Sequence, residues 1–156
     1  MKTDFSPKNI IFEEELIPLL KERLAAGQKV RYLPFRGRSM LPMLRQGKDA
    51  VELGAVPKTL CKYDLPVYQY PSGKYVMHRV IKVMPDHYIC RGDNTYTDEF
   101  IRHGQMIAVV TAFMRGDRRI SVDAPGYKLY CRIWCAVYPL RRLAKRAKGW
   151  LGRHLK

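Results

Sequence analysis

A mainly β domain, built as a coiled antiparallel barrel or sandwich with a helix at each end, is the fold class this sequence predicts. Three observations predict it. Short apolar or alternating runs fill the middle of the chain, turn residues interrupt them at close intervals, and helical spacing is confined to the two ends. A chain of 156 residues fits one domain that can bury a core without disulfides or metal. With 47% hydrophobic and 28% charged residues the composition is that of a globular protein and excludes a disordered one.

The elements follow in order. Over residues 9–26, Ile10, Ile11, Leu16, Leu19, Leu20 and Leu24 recur at helical spacing, with Pro18 marking a kink or break and Gly27 placed as a C-cap. Residues 1–28 are therefore expected to form an amphipathic helical cover. Residues 29–123 carry the β texture, with strands expected at 30–35, 50–53, 65–70, 74–84, 87–90 and 106–114. A last edge strand is expected at 120–122, after the Arg115-Gly116-Asp117 turn. Residues 124–156 change character again. From Pro125 onward there is no acidic residue, while Leu140, Leu143, Ala144, Ala147, Trp150, Leu151 and Leu155 form one helical stripe.

Charge is the unusual feature of the composition. There are 29 Lys and Arg against 14 Asp and Glu, a net +15, and nine of the cationic side chains lie in the last segment. Such a surplus points to an anionic partner. A helix with Trp150 and leucines on one face and basic residues around them suits the plane of an anionic membrane. The competing expectation is a helix docked on its own domain with a solvated basic side. No reading helix or base-stacking motif supports nucleic acid as the partner. The N-terminus holds Asp4 and lacks an apolar run after a basic start, so no signal peptide is expected. Nor does any stretch reach the roughly 18 apolar residues of a membrane span. The expected location is cytoplasmic, peripheral at the inner membrane face.

The four cysteines, Cys61, Cys90, Cys131 and Cys135, make no C-x-x-C pair, and no Cys/His spacing suggests zinc. They read as reduced residues in apolar surroundings. Neither metal nor cofactor is expected.

Acyl transfer by serine needs an exposed hydroxyl on a rigid turn, a base within reach, and donors for the oxyanion. Gly37-Arg38-Ser39-Met40-Leu41-Pro42 offers the turn, with the Ser39 backbone N–H as oxyanion donor. On its own, a serine between Gly and Pro is also an ordinary turn residue. His78 lies in an apolar run, Val76-Met77-His78-Arg79-Val80, where a histidine is either a satisfied core residue or a positioned base. Arg91-Gly92-Asp93-Asn94, followed by Asp98 and Glu99, offers carboxylates that could orient an imidazole, or a tight turn and nothing more.

Gly-Arg-Ser-Met-Leu-Pro-Met-Leu, Tyr-Asp-Leu-Pro-Val-Tyr, Met-His-Arg-Val-Ile and Arg-Gly-Asp-Asn, in that order, resemble the type I signal peptidase family over roughly residues 30–114. That family shares a related β fold with self-cleaving repressor peptidases. The resemblance is to its histidine-base branch, since His78 stands where other branches carry lysine. It implies a serine endopeptidase that cleaves an extended leader or signal-like peptide, with Ser39 as nucleophile and His78 as base. It implies an acidic helper too, for which Asp98 is favoured over Asp93 and Glu99. Asp93 has a second reading, in which it holds the turn by bonding its own backbone. Family members usually carry a membrane anchor, so the expected substrate here is the leader of a small peptide precursor. The alternative is a non-catalytic peptide- or membrane-binding module on the same fold.

Overall fold

The computed structural model describes residues 13–32 and 37–154; the expected positions Ile10, Ile11 and Leu155 and part of the 30–35 strand lie outside the described residues. Helix α1 (Glu13–Ala25) runs through Pro18 as one element. It buries Ile17, Leu20 and Leu24, one stripe of its surface, and the chain leaves it through Gly27 at φ +73°.

Among the described residues nine strands follow, in two antiparallel sheets. The larger contains β1 (Val30–Tyr32), β2 (Asp49–Gly54), β3 (Pro66–Gln69), β4 (Tyr75–Met77), β8 (Met106–Arg115) and β9 (Arg118–Ser121). Its order is β1-β2-β8-β3-β4, with β9 also paired to β8. The smaller contains β5 (Arg79–Val83), β6 (His87–Arg91) and β7 (Glu99–Arg102), in that order. Burial alternates along β6 and much of β8 as the pleat requires. Ala108, Val110 and Ala112 point inward from β8, and Tyr88 and Cys90 from β6.

The expected strand over 74–84 is in fact two. It breaks at His78, and the chain passes there from the larger sheet to the smaller one. Two cores result, and the second takes side chains from both sheets. Val51, Leu53, Val67, Val110 and Phe113 anchor the first against α1, while Leu60, Tyr68, Val80, Tyr88 and Ile101 form the second. His78 thus stands at the seam between two cores.

The last segment also differs from expectation. It is not one amphipathic helix but two, α2 (Pro125–Ala136) and α3 (Tyr138–His154), with Pro125 in the first turn of α2. Tyr127 and Cys131, one helical turn apart on α2, are buried in the first core. Residues 125–136 therefore belong to the domain body. With 34% strand and 28% helix the architecture is mixed rather than mainly β, and among the described residues the sheets form no closed barrel. All four cysteines are free thiols, Cys90 and Cys131 buried and Cys61 exposed.

One ion-pair cluster ties β2 to β9. Glu52 accepts hydrogen bonds from Arg119 Nη2 at 2.7 Å and from Thr111 Oγ1 at 2.8 Å, with Lys29 Nζ at 3.4 Å. The Arg119 bond is the main reason its carboxyl titrates at about 2 instead of 4.5. A depressed folded-state value means the carboxylate stabilises the fold above pH 4.5 and loses that contribution as pH falls to about 2. Denaturant midpoints of wild type and Glu52→Gln should therefore differ most above that window and converge at its acid end. A gap that stays constant with pH would show that Glu52 contributes nothing through its charge.

Candidate active site

Ser39 occupies a compact turn held from both ends. Leu44 N–H donates to the Met40 carbonyl at 2.9 Å, and Met40, Met43 and Leu44 are buried beneath it. Those apolar anchors explain why a loop rich in glycine and arginine keeps a fixed shape. From the other side, Asn94 N–H donates to the Ser39 carbonyl at 2.7 Å, and Asn94 Nδ2 donates to the Arg38 carbonyl at 3.2 Å. The Ser39 turn and the Gly92-Asp93-Asn94 turn are thus bonded directly to each other.

Gly92 sits where Ser39 and His78 converge. A Cβ at Gly92 would lie 2.8 Å from the Ser39 carbonyl oxygen and 3.1 Å from His78 Cδ2. Only glycine permits that approach without displacing backbone. The sequence offered a turn reading of this residue; its position shows a packing requirement.

His78 is 6% exposed, and its partner is Glu99. Nδ1 lies 2.8 Å from Glu99 Oε2, and Tyr68 OH lies 3.3 Å from the same nitrogen. Tyr68 OH also donates to Glu99 Oε2. Burial drives the Tyr68 phenol far above its ordinary value, so this hydroxyl stays protonated and donates. Burial also pushes the Glu99 carboxyl up, but hydrogen bonds from His78, Tyr68 and Tyr70 outweigh it and hold the group below 4.5. An ionised carboxylate can only accept. It therefore fixes the imidazole proton on Nδ1 and leaves the Nε2 lone pair available to act as a base.

The other two carboxylates are engaged elsewhere. Asp98, the favoured helper from sequence, is bonded to Arg91, whose Nε lies 2.5 Å from Oδ1, and its side chain is 41% exposed. Asp93 does not bond its own backbone through its side chain. Its carboxylate takes Arg79 Nε and Nη2, both at 2.7 Å, and Tyr130 OH at 2.9 Å. The geometry gives the position beside the imidazole to Glu99, which the sequence reading ranked behind Asp98.

Arg79 is fully buried, and every face of its guanidinium is satisfied. Nη1 donates to Tyr127 OH and to Cys131 Sγ, both at 2.9 Å, and Nη2 donates to Met43 Sδ at 3.1 Å. The ring planes of Tyr127 and Tyr130 flank it at 5.6 and 5.9 Å. Sequence reasoning missed this residue and Tyr68. A charged residue inside an apolar strand run was the available signal for Arg79; the paired tyrosines of 65–70 were the signal for Tyr68.

Ser39, His78 and Glu99 all line one cavity of about 330 Å³. Its walls are largely apolar, with Ile17 and Leu20 from α1, Leu53 and Val67 from the larger sheet, and Met77 beside the histidine. Among the described residues there is no cluster of three or more His, Cys, Asp or Glu that could hold a metal. No protein-family model matches the chain, and no curated protein sequence matches it.

Proposed function

We propose that the chain is a serine endopeptidase of the signal-peptidase type, with Ser39 as nucleophile, His78 as general base and Glu99 as the group that orients the base. One observation carries the reading. A serine on a braced turn and a histidine whose Nδ1 is held by an ionised carboxylate share one apolar cavity. The motif order Gly37-Arg38-Ser39, Met77-His78-Arg79 and Gly92-Asp93-Asn94, which resembles that of the signal-peptidase family, adds support.

In this mechanism Ser39 Oγ attacks the scissile carbonyl while His78 Nε2 takes its proton. The oxyanion is stabilised by the Ser39 backbone N–H. The imidazolium, steadied by Glu99, then returns the proton to the leaving amine, and an ester remains on Ser39. Water, deprotonated by the same nitrogen, releases the acid. An extended substrate has a natural track. Among the described residues β4 is a terminal strand of the larger sheet, and it runs directly into His78. A peptide adding to that edge would carry its backbone past the base. From the sequence resemblance, cleavage follows small residues such as alanine in a leader-like segment.

The test is covalent. A leader-like peptide bearing a serine-reactive electrophile, such as a phosphonate ester that loses its alcohol, at its cleavage position should add mass to wild type on the peptide that contains Ser39, and should leave Ser39→Ala unmodified. The parent peptide should be cut in parallel by wild type alone. A protein that binds the peptide but neither cuts it nor forms the adduct would be a peptide-binding module instead.

A further inference from the structure

Helix α3 is docked through side chains that would ordinarily face water. Arg141 Nη1 and Nη2 donate to the carbonyls of Trp134 and Asp93, and its guanidinium lies 3.8 Å from the Trp134 ring. Lys145 Nζ sits 4.3 Å over the Tyr96 ring. Two of the helix's cations, Arg141 and Lys145, are therefore engaged by the domain, while Arg142, Arg146 and Lys148 stay exposed. The apolar side of α3 is turned out: Leu140 is 69% exposed, Leu143 65% and Trp150 55%.

This apolar row does not stop at α3. Leu129 and Ile133 on α2 are 57% and 53% exposed, and they precede Leu140 at helical spacing. Val137, between the helices, keeps the chain near helical geometry: its N–H donates to the Ile133 carbonyl at 3.0 Å and its carbonyl accepts from Arg141 at 3.1 Å. Large side chains in a single exposed row on a water-facing helix pair are a marked departure from ordinary surface composition. Arg142 and Arg146 are exposed along one border of the row and Lys148 along the other, and residues 125–156 contain no carboxylate side chain.

We infer that the outward face of α2 and α3 lies in the plane of an anionic lipid bilayer, with the leucines and Trp150 in the headgroup boundary and the flanking cations on lipid phosphates. An apolar row bordered by cations without a single acid complements an anionic interface. A protein groove would be expected to meet some of those cations with carboxylates, and a second copy of the same face would bring cations against cations. Among the described residues no helix is long and apolar enough to cross a membrane, so the attachment is in-plane. This inference stands independently of the peptidase reading.

Cosedimentation of the full chain with vesicles tests it. Binding is expected to phosphatidylcholine vesicles that contain phosphatidylglycerol, to be weak on phosphatidylcholine alone, and to fall with added salt. Leu140→Ser with Leu143→Ser should weaken binding about a hundredfold, from lost apolar burial. Arg142→Gln with Arg146→Gln should weaken it by roughly thirtyfold. All four positions are exposed, so thermal unfolding should be unchanged and serves as the folding control. Absence of binding to anionic vesicles at low salt overturns the inference. So does binding that the leucine pair leaves untouched, which would be surface adsorption only. Self-association without lipid, abolished by the leucine pair, would assign the face to a second copy of the chain.

Discussion

Alanine at Ser39 or at His78 is expected to lower peptide turnover by about a thousandfold or more, with the double variant no slower than either single one. Residues that act as one catalytic unit lose the same step when either is removed, so their effects do not add. Glu99→Gln is expected to cost about a thousandfold to ten-thousandfold in kcat with little change in KM. The amide can donate to Nδ1, which would drive the proton to Nε2 and remove the lone pair the reaction needs. Asp98→Asn should leave turnover near wild type, because that carboxylate is spent on Arg91 at the surface. Steady-state kinetics of the five variants on one peptide decides the matter. If Asp98→Asn were the damaging change and Glu99→Gln the silent one, the assignment of the orienting group would be reversed.

Breaking the Arg79–Asp93 pair should produce the largest loss of stability. The two side chains are 0% and 2% exposed, so removing one leaves an uncompensated charge in a low-dielectric interior. Arg79→Met or Asp93→Leu is expected to cost about 3–5 kcal/mol, against a total stability of roughly 5–15 kcal/mol for an ordinary domain. Combining the two should recover part of that loss, since neither charge is then stranded. Recovery is incomplete because Tyr127, Tyr130 and Cys131 each lose a partner. Urea unfolding of the two single variants and the double one gives the coupling directly. Single variants that unfold within about 1 kcal/mol of wild type would show that the pair is no more than a surface-grade contact.

Local pattern made much of the fold and part of the site readable in advance. Period-two runs marked most strands, helical spacing marked α1, and turn chemistry flanked Ser39. Tertiary pairing decided what remained. The run from Tyr75 to Val83 is uniformly strand-like, and nothing local announces that its two halves join different sheets at His78. The choice between Asp98 and Glu99 turned on register. Glu99 pairs with Cys90 at the start of β7, and a shift by one residue would exchange which of the two points inward. Strand β7 is four residues long, too short to show a period. Helix α2 is not separable from the basic tail by local pattern, because what sets it apart is the burial of Tyr127 and Cys131 against Arg79, a contact distant in sequence.

The Gly92-Asp93-Asn94 turn has two clients. On one side it holds the Ser39 carbonyl; on the other, Asp93 receives Trp134 and Arg141 from the terminal helices. The helices are therefore poor material for transplantation or trimming. A shortened chain that ended before α2 would not be a smaller version of the same molecule, and a foreign tail would have to reproduce the same anchoring chemistry. Over evolutionary time, replacements at Arg79, Asp93, Trp134 and Arg141 should be inherited together, as one joint trait of the Ser39 turn and the tail.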